Sequence, residues 1–471
     1  MDDNSLSEQL VELINKYRNQ IEDPSAKVVD YRTPTEITEI FGTEVPEEGI
    51  SREQLSALLE KYVQYSVKTG HKQFLNQLYS GFNLPAFLGD VITSLTNTSM
   101  YTYEVAPVAT VIENKMIDLM TQYVGYENGD GIFLTGGSNA NLIAMFTARN
   151  QLLPGIRRHG YTGTEKLTAF VNKEAHYSFD TAVNLLGIGS DQLIKIKSDA
   201  GGRMIPEQLE QEIQNSLDRG ETPFFVGATC STTLLGAYDP IEEIHEITNK
   251  YNLWLHADGA FGGSVILSER HRHLMKGIEH TDSFSWDPHK MMNIPLICSV
   301  LLVNQKGALQ GNLTDMNTDY IFHDIEETED LGKKSVQCGR RVDAVKLWLA
   351  WTFYGKQGYR NRIDNLMEMA SYAEKKVNDH PRLELQSPRQ SFTICFRYRP
   401  GYDTDLNEFN LQVRENMRKS GKSMVNYSHI NGELTIRLVF INGELDYSDI
   451  DRFFENLLSE AEKLEEKQKV S

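Results

Sequence analysis

The segment Asp282-Ser-Phe-Ser-Trp-Asp-Pro-His-Lys-Met-Met-Asn-Ile-Pro295 brings a predicted strand to an end beside a lysine. Ser283 to Trp286 have strand character, and Pro288 disfavours helical backbone at the residue before it. Lys290 therefore follows a strand exit, among apolar neighbours rather than among other charges. Partial burial in such a place favours the neutral amine, which is the form of lysine that attacks carbonyl groups. The segment thus predicts a lysine that forms a Schiff base.

A second predicted strand lies in Leu253-Trp-Leu-His-Ala-Asp-Gly-Ala-Phe-Gly-Gly263 and releases Asp258 into a turn of small residues. A pyridoxal phosphate ring needs a carboxylate against its pyridine nitrogen, because the protonated nitrogen lets the ring act as an electron sink. Asp258 is the natural candidate. An aspartate that only closes a strand into a glycine turn fits the local sequence equally well. It does not account for the partnership with Lys290, so the two residues together indicate a pyridoxal phosphate site.

Six short motifs, dispersed along the chain, carry a wider resemblance. They are Asn76-Gln-Leu-Tyr-Ser-Gly81, Tyr101-Thr-Tyr-Glu-Val-Ala-Pro107, Gly129-Asp-Gly-Ile-Phe133, Ala175-His-Tyr-Ser178, Asp287-Pro-His-Lys290 and Gln337-Cys-Gly-Arg340. From about Lys72 to the C-terminal region, the chain resembles the group II pyridoxal phosphate-dependent amino-acid decarboxylases. Within that group it is similar to the glutamate, aspartate and cysteine-sulfinate decarboxylases. The resemblance implies an α/β fold of type I, like that of aspartate aminotransferase, and a homodimer that decarboxylates an L-amino acid.

The hydrophobic pattern divides the chain into three segments. Strand-like and helical runs alternate in residues 85–356, which indicates a large cofactor-binding domain with a mostly parallel sheet covered on both faces. Residues 357–471 predict a smaller α+β domain. Residues 1–84 form charged helices with too little apolar content to fold alone, so the resemblance implies a dimerisation segment there. A long helix is predicted for Gln337 to Phe353, with a joint after it.

Polar residues follow four of the predicted strands, and ligands bind such sheets outside the carboxyl ends of the strands. These residues are Thr135 to Asn139, Thr229, Asp258 and Lys290. The Gly-rich turn at Thr135 also opens a helix, whose backbone N–H groups and N-terminal dipole suit a phosphate. We therefore expect Gly137, Ser138 and Asn139 to hold the cofactor phosphate.

The resemblance assigns further cofactor contacts. His289 matches a position that touches the phosphate, and Thr229 matches a threonine that contacts the cofactor. Ala260 keeps a small residue beneath the ring. His176 resembles the histidine that stacks on the ring and places a proton donor near the reacting carbon, although an isolated histidine would more often be structural.

Three residues are candidates for substrate binding. Arg437 resembles the arginine that pairs with the substrate α-carboxylate, for which a planar guanidinium is well suited; an edge-strand arginine facing water remains the alternative. Gln77 and Tyr79 resemble the segment that contacts the substrate side chain. Because the ring of Tyr79 would shorten the pocket, we expect aspartate or cysteine sulfinate to be preferred over glutamate.

One loop departs from the family pattern. The family has a mobile loop whose tyrosine protonates the carbanion after carbon dioxide leaves, whereas His323 to Lys334 is shorter, acidic and without tyrosine. Three alternatives therefore stay open. They are decarboxylation of another amino acid such as 2,4-diaminobutyrate, decarboxylation coupled to oxidative deamination, and a non-catalytic role in dimerisation or cofactor binding. The joint presence of Lys290, Asp258, His176 and Arg437 argues against the last of these.

Charge and composition exclude several other classes of protein. A net charge of −19 opposes binding to nucleic acid or to anionic membranes. The chain contains no apolar run of membrane-spanning length and begins with a polar, acidic segment, so we expect a cytoplasmic protein without a signal peptide. The four cysteines show no metal-binding spacing, and we expect reduced thiols and no metal site.

Overall fold

The computed structural model describes residues 3–42, 44–163, 165–310, 322 and 330–470. The chain divides into two units. The larger contains Phe82–Asn365 with Arg389–Ser391, and the smaller contains Met1–Gly81, Leu366–Pro388 and Phe392–Ser471. Residues from both ends of the chain thus share the smaller unit. The division into segments 1–84, 85–356 and 357–471, with dimerisation assigned to the first, stays a prediction.

The strands and helices are numbered in chain order over the described residues. The strands are β1 (Phe74–Leu75), β2 (Asp130–Leu134), β3 (Leu167–Asn172), β4 (Leu193–Ile196), β5 (Thr222–Thr229), β6 (Trp254–Gly259), β7 (Ser283–Trp286), β8 (Ser299–Val303), β9 (Leu383–Leu385), β10 (Thr393–Tyr398), β11 (Met424–Ile430) and β12 (Glu433–Val439). The helices are α1 (Asp3–Glu22), α2 (Pro34–Phe41), α3 (Arg52–Tyr65), α4 (Leu84–Thr96), α5 (Pro107–Val124), α6 (Gly137–Leu152), α7 (Ile156–His159), α8 (Ser178–Leu185), α9 (Pro206–Asp218), α10 (Ile241–Tyr251), α11 (Ala344–Asp379), α12 (Leu406–Ser420) and α13 (Tyr447–Val470).

The larger unit is built on a seven-stranded sheet in the order β2-β8-β7-β6-β5-β3-β4. β7, β6, β5, β3 and β4 are parallel neighbours. β8 runs antiparallel to both β7 and β2, so β2 points in the same direction as the parallel strands. Six strands consequently end at one edge of the sheet. The predicted mostly parallel sheet is confirmed.

Helices on the sheet explain why most of its strands are buried along their whole length. Every residue of β3 is buried, and its sequence Leu-Thr-Ala-Phe-Val-Asn is nearly free of the alternation typical of half-exposed strands. Val171 of β3, Phe225 of β5 and Leu301 of β8 belong to one apolar cluster with Ala144 of α6 and Phe179 of α8. Burial of a large apolar side chain stabilises the fold by roughly 1.5–3 kcal/mol.

The predicted helix over Gln337 to Phe353 is wrong at its N-terminal end, because α11 begins at Ala344. Arg340 instead stays in an extended segment, where its guanidinium donates to both carboxylate oxygens of Glu113 at 2.7 and 2.9 Å and to the carbonyl oxygen of Met100 at 3.0 Å. These contacts require the main chain before α11 to run across α5 instead of forming a helix. The predicted joint corresponds to Gly355, where φ of 68° and ψ of 177° kink the helix.

The smaller unit contains a five-stranded sheet in the order β1-β11-β12-β10-β9. β1 is parallel to β11, and the other neighbours are antiparallel. Helices α1, α2, α3, α12 and α13 belong to the same unit, which confirms the α+β character expected for the C-terminal part. Among the described residues, no helix is long and apolar enough to cross a membrane.

Candidate active site

A cavity of about 260 Å³ opens at the edge of the seven-stranded sheet where the strands end. Its lining comes from the segments that follow β2, β3, β5, β6 and β7. The lining residues are Thr135, Gly136, Gly137, Ser138, Asn141, His176, Tyr177, Thr229, Ser231, Thr233, Asp258, Ala260, Phe261, Asp287, His289 and Lys290. The structure therefore brings together eight of the nine residues predicted to contact the cofactor. Asn139 is the exception and lies on α6 beside the lining residue Ser138.

The amine of Lys290 lies 3.0 Å from Oδ2 of Asp287, three residues earlier. Asp287 is buried and also accepts a short hydrogen bond from the hydroxyl of Ser299. Burial alone would raise the pKa of Asp287, but the charges of Lys290 and His289 outweigh it and lower that pKa. The sequence analysis interpreted Asp287 only as the end of a strand. A carboxylate three residues before the lysine at the strand exit was the signal that could have identified this contact.

Asp258 ends its strand with both carboxylate oxygens engaged. Oδ1 accepts hydrogen bonds from the backbone N–H of Ala260 at 3.0 Å and from the hydroxyl of Ser285 at 3.1 Å. Oδ2 accepts from Nδ2 of Asn141 at 2.7 Å. The side chain is buried, lines the cavity and is surrounded by donors that fix its orientation. Asn141 was not identified from the sequence, because it lies on α6 beyond the predicted phosphate-binding turn.

His176 follows β3 and lines the cavity beside Tyr177, whose ring centroid is 4.3 Å away. The backbone N–H of Ser178 donates to Nδ1 of His176 at 3.3 Å. This contact leaves the proton of the neutral ring on Nε2. Burial lowers the pKa of His176, and the attraction of Asp258 offsets this only in part. The ring is therefore a neutral donor at physiological pH.

The turn between β2 and α6 also lines the cavity. Gly136 has a φ of +132°, which side chains disfavour. A Cβ atom on Gly137 would lie 2.8 Å from Cβ of Ala260 and 2.8 Å from Oδ2 of Asp287. Only glycine therefore lets the start of α6 approach the ends of β6 and β7 so closely. The backbone N–H groups in this first helical turn can bind an anion.

One hydroxyl group of the cavity lining has no hydrogen-bond partner among the described residues. Oγ1 of Thr229 is buried without a hydrogen bond, whereas the side chain of Ser231 pairs with the hydroxyl of Tyr238. The backbone N–H of Thr229 donates to Asp239 at 2.7 Å, which fixes the main chain at this point. Buried hydroxyl groups nearly always have a partner, so that of Thr229 is arranged for a polar ligand.

His289 lies between the lysine segment and β8. Its Nδ1 is 2.7 Å from the carbonyl oxygen of Cys298, to which it donates, and its Nε2 is 3.7 Å from Asp287. Burial lowers the pKa of His289, whereas the carboxylate of Asp287 opposes that change. A second anion near Nε2 would favour the protonated ring.

The three predicted substrate residues belong to the smaller unit and are described there by themselves. Arg437 lies on β12 opposite Cys395 of β10 and is 7% exposed, so the alternative of a water-facing arginine is wrong. Burial lowers the pKa of its guanidinium. Gln77 donates to Asn76 at 2.8 Å, and the Tyr79 ring centroid lies 6.4 Å from that of Phe74.

Only part of the loop that lacks the family tyrosine can be described, since residues 323–329 lie outside the described residues. After them, the carboxylate of Asp330 accepts from the backbone N–H of Tyr103 at 3.0 Å. Nζ of Lys334 donates to Asp130 at 2.8 Å, and both side chains are buried. The chain that follows residue 329 is thus fixed to β2 and to the segment before α5.

Comparison with known proteins identifies the class to which this fold and cavity belong. Residues 34–399 match the pyridoxal-dependent decarboxylase conserved domain, and the chain belongs to that family. Cysteine sulfinic acid decarboxylase of Mus musculus is 38% identical over 91% of this chain and 90% of its own length. The enzyme of the same name from Homo sapiens is 37% identical over 93% of this chain and 91% of its own length.

Solved structures agree with this assignment. The crystal structure of mouse CSAD in apo form matches with a TM-score of 0.93 and 36% identity, covering 98% of this chain and 99% of that chain. A structure of Oryza sativa TDC with PLP and tryptamine matches with a TM-score of 0.90 and 25% identity, covering 98% of both chains. The predictions of a type I fold and of a group II decarboxylase are confirmed. The chain is a carboxy-lyase that uses pyridoxal phosphate and acts on an amino acid.

Proposed function

We propose that the protein decarboxylates a short acidic L-amino acid, cysteine sulfinate or aspartate, with the cofactor attached to Lys290. The observation that carries the substrate class is the 37–38% identity, over about nine-tenths of the chain, to enzymes named cysteine sulfinic acid decarboxylase. Glutamate remains a possible poorer substrate, because one methylene group changes discrimination by only about 1–3 kcal/mol. The ring of Tyr79 supports the preference for the shorter acid.

The cavity residues fit pyridoxal phosphate. The unpartnered hydroxyl group of Thr229 offers a hydrogen bond to a polar ligand, and the close approach of Gly137 leaves the start of α6 available for a phosphate. Ser138 and Asn139 extend this turn, with His289 nearby. The acceptor-rich Asp258 suits a protonated pyridine nitrogen. When bound, the cofactor supplies an electron sink for the electron pair released as carbon dioxide leaves.

The side chains around the cofactor have separate roles in this proposal. Lys290 provides the amine that binds the cofactor covalently, and Asp287 holds that amine in position at 3.0 Å. Asp258 keeps a proton on the pyridine nitrogen. With the cofactor bound, His176 would stack on the ring, with Ala260 beneath it, and its Nε2–H would supply a proton near the reacting carbon. Such positioned proton donors typically contribute about 10²–10⁴-fold to a rate.

Covalent attachment is tested with Lys290→Ala. We expect the variant to lose the visible absorbance of the bound cofactor and the adduct that borohydride traps in the parent protein. Lys306→Ala, at an exposed lysine of the same unit, serves as the control and should retain both signals. Peptide mapping of the trapped adduct decides the assignment, since an adduct on another lysine contradicts it.

The substrate is tested by direct competition among cysteine sulfinate, aspartate, glutamate and 2,4-diaminobutyrate. Carbon dioxide, amine, ammonia and peroxide are measured together, so that oxidative deamination is detected beside decarboxylation. We expect the highest kcat/KM for cysteine sulfinate or aspartate, with little peroxide. A maximum of kcat/KM for glutamate or the diamine would overturn the ranking.

Two variants test the residues assigned to the substrate. Tyr79→Ala should raise kcat/KM for glutamate relative to aspartate, and Arg437→Lys should raise KM for every substrate.

We also infer that the working form is a homodimer. Helix α4 packs against α11 through Gly89, where a Cβ atom would lie 2.7 Å from Cα of Lys346. Its other face carries four exposed aliphatic side chains at helical spacing. They are Leu88, Val91, Ile92 and Leu95, with exposures of 51%, 44%, 50% and 77%. Such a stripe is suited to burial against a second copy of the chain.

A further inference from the structure

A series of hydrogen bonds runs along β6 from Trp254 at its start to Asp258 near its end. Trp254 Nε1 donates to the hydroxyl of Ser283 at 2.8 Å, and that hydroxyl is 2.8 Å from Nδ1 of His256. Nε2 of His256 is 2.9 Å from Oδ1 of Asn141. Nδ2 of Asn141 completes the chain with its contact of 2.7 Å to Asp258. His256 and Ser283 are fully buried, and Asn141 is 1% exposed.

Every hydrogen bond in this series is donated in the direction of Asp258. A carboxylate only accepts, so the amide nitrogen of Asn141 must face it, and Oδ1 must face His256. Nε2 of His256 must then donate, which leaves Nδ1 to accept from the hydroxyl of Ser283. That hydroxyl accepts in turn from Trp254, whose indole can only donate. The proton arrangement is thus fixed by the two ends of the chain.

Asn141 makes a further contact that holds its amide in one orientation. Its Nδ2 also donates to the hydroxyl of Ser178 at 2.9 Å. Turning the amide over would place Oδ1 against the Asp258 carboxylate and Nδ2 against the Nε2–H of His256, which are two repulsive contacts. His256 stays uncharged in this setting, because burial lowers its pKa to about 4. The directed chain therefore persists at physiological pH.

We propose that Asn141 and His256 are positioning residues that hold the Asp258 carboxylate as an oriented anion for the pyridine nitrogen of the cofactor. The proposal rests on the proposed role of Asp258. His256 acts through Asn141, since its ring nitrogens form hydrogen bonds with Asn141 and Ser283 and none with Asp258. The two residues thereby bias the shared proton toward the cofactor and away from the carboxylate.

The test compares three variants of the full-length protein. Asn141→Leu removes the donor to Asp258 while keeping a similar shape, and His256→Leu removes the bond that orients the amide. His256→Gln keeps an N–H near the position of Nε2. We expect both leucine variants to bind pyridoxal phosphate more weakly, by on the order of tenfold to a hundredfold for Asn141→Leu, as for the loss of a charge-assisted hydrogen bond. His256→Gln should recover most of the loss.

Two measurements separate positioning from general damage. Fluorescence titration of the cofactor-free protein gives the Kd for pyridoxal phosphate. The ¹⁵N chemical shift of cofactor labelled at its pyridine nitrogen reports whether that nitrogen is protonated. The leucine variants should move this shift toward the unprotonated value at neutral pH, whereas His256→Gln should restore it. A destabilised but correctly oriented site would leave the shift unchanged.

Asn410→Leu provides a matched control. Asn410 is a fully buried asparagine of the smaller unit whose side chain bonds the main chain of Tyr398 and Leu406. Its replacement should lower Tm without changing the ¹⁵N shift. An unchanged shift and Kd in both leucine variants would overturn the proposal, as would equal losses in His256→Gln and His256→Leu when both variants are folded by Tm.

Asp258→Asn distinguishes this inference from the function on which it rests. If Asp258 serves the pyridine nitrogen, that variant should carry an unprotonated nitrogen even with Asn141 and His256 intact. A protonated nitrogen in Asp258→Asn would contradict the role of Asp258 itself. A deprotonated nitrogen there, with a normal shift in both leucine variants, would leave that role standing and reject the contribution of Asn141 and His256.

Discussion

Asp287 is the buried anion nearest to the lysine amine, and its charge affects folding as well as the site. Its pKa is lowered in the folded protein because Lys290 and His289 favour its ionised form. A carboxyl group whose pKa falls on folding stabilises the protein above its unfolded pKa, about 3.9. That stabilisation is lost as pH falls through the lower folded value. Asp282, five residues earlier, has the opposite property, since burial raises its pKa to about 6.

We expect Asp287→Asn to lower the Tm of the cofactor-free protein at pH 7. Removing one partner of a buried ion pair typically costs about 3–5 kcal/mol. The difference in Tm from the parent should shrink as pH falls from about 3.9 through the lower pKa of the folded protein, because the parent carboxylate then takes up a proton as well. Calorimetric scans between about pH 3 and pH 7 provide the measurement.

Asp282→Asn is the control with opposite sign. The Tm of the variant relative to the parent should rise as pH increases from about 4 to about 6 and then level off, because in that range the unfolded parent releases a proton that the folded parent retains. If the difference in Tm between Asp287→Asn and the parent were the same at pH 7 and pH 3, the pairing of Asp287 with the basic side chains would not contribute to stability.

Site residues that follow a strand within a recognisable motif could be predicted from the sequence. Residues that meet only because distant elements pack together could not. The strand exits at Asp258 and Lys290 are local, so each motif indicated its position in the cavity. Asn141 and His256 meet because α6 packs over β6, a contact that hydrophobic periodicity does not specify. Asp287 was missed for another reason: it was interpreted only as the end of a strand, although its spacing of three residues from Lys290 is compatible with a contact in a turn.

At the scale of elements, the turn from β2 into α6 shows how a single glycine permits the close packing that a binding site needs. The structure allows no room for a Cβ atom on Gly137, since Ala260 and Asp287 approach from two different strand ends. The sequence predicted this glycine-rich turn and its role in binding the phosphate. The start of α11 was predicted wrongly, because the apolar pattern around it gave no indication of the Arg340 contacts with Glu113.

Gly137→Ala should weaken cofactor binding because α6 must shift away from β6 and β7 to admit the methyl group. Overpacking of this kind typically costs about 1–3 kcal/mol, which corresponds to a loss in affinity of roughly five- to a hundredfold. The Kd for pyridoxal phosphate measures the effect directly.

Gly155→Ala is the matched control for that change. Gly155 has helical backbone angles, and a Cβ atom there would meet only His159 at 3.7 Å, an ordinary contact. Its Kd should equal that of the parent. If Gly137→Ala also bound the cofactor normally, the close packing at this turn would have no role in the site.

At the scale of the whole molecule, the exposed stripe on α4 predicts how copies of the chain associate. We expect Ile92→Asp to shift the protein toward monomers, because burying an unpaired carboxylate in an apolar interface is strongly unfavourable. Sedimentation velocity across a range of concentrations measures the change in oligomeric state.

Leu217→Asp provides the comparison for the α4 variant. Leu217 lies on α9 and is 41% exposed, away from the α4 stripe in sequence. This substitution should leave the sedimentation coefficient unchanged. A dimeric Ile92→Asp protein would show that a different surface joins the subunits.

The order of strands also determines when the site can exist during synthesis. β2 joins the sheet through β8, and the two are separated by more than 160 residues of chain, from Leu134 to Ser299. Until the ribosome has delivered β8, β2 has no strand of that sheet with which to pair, and the turn it carries has no fixed position. Closing so long a loop is entropically costly and slow. Productive capture of the cofactor is therefore a late event in the life of the nascent chain.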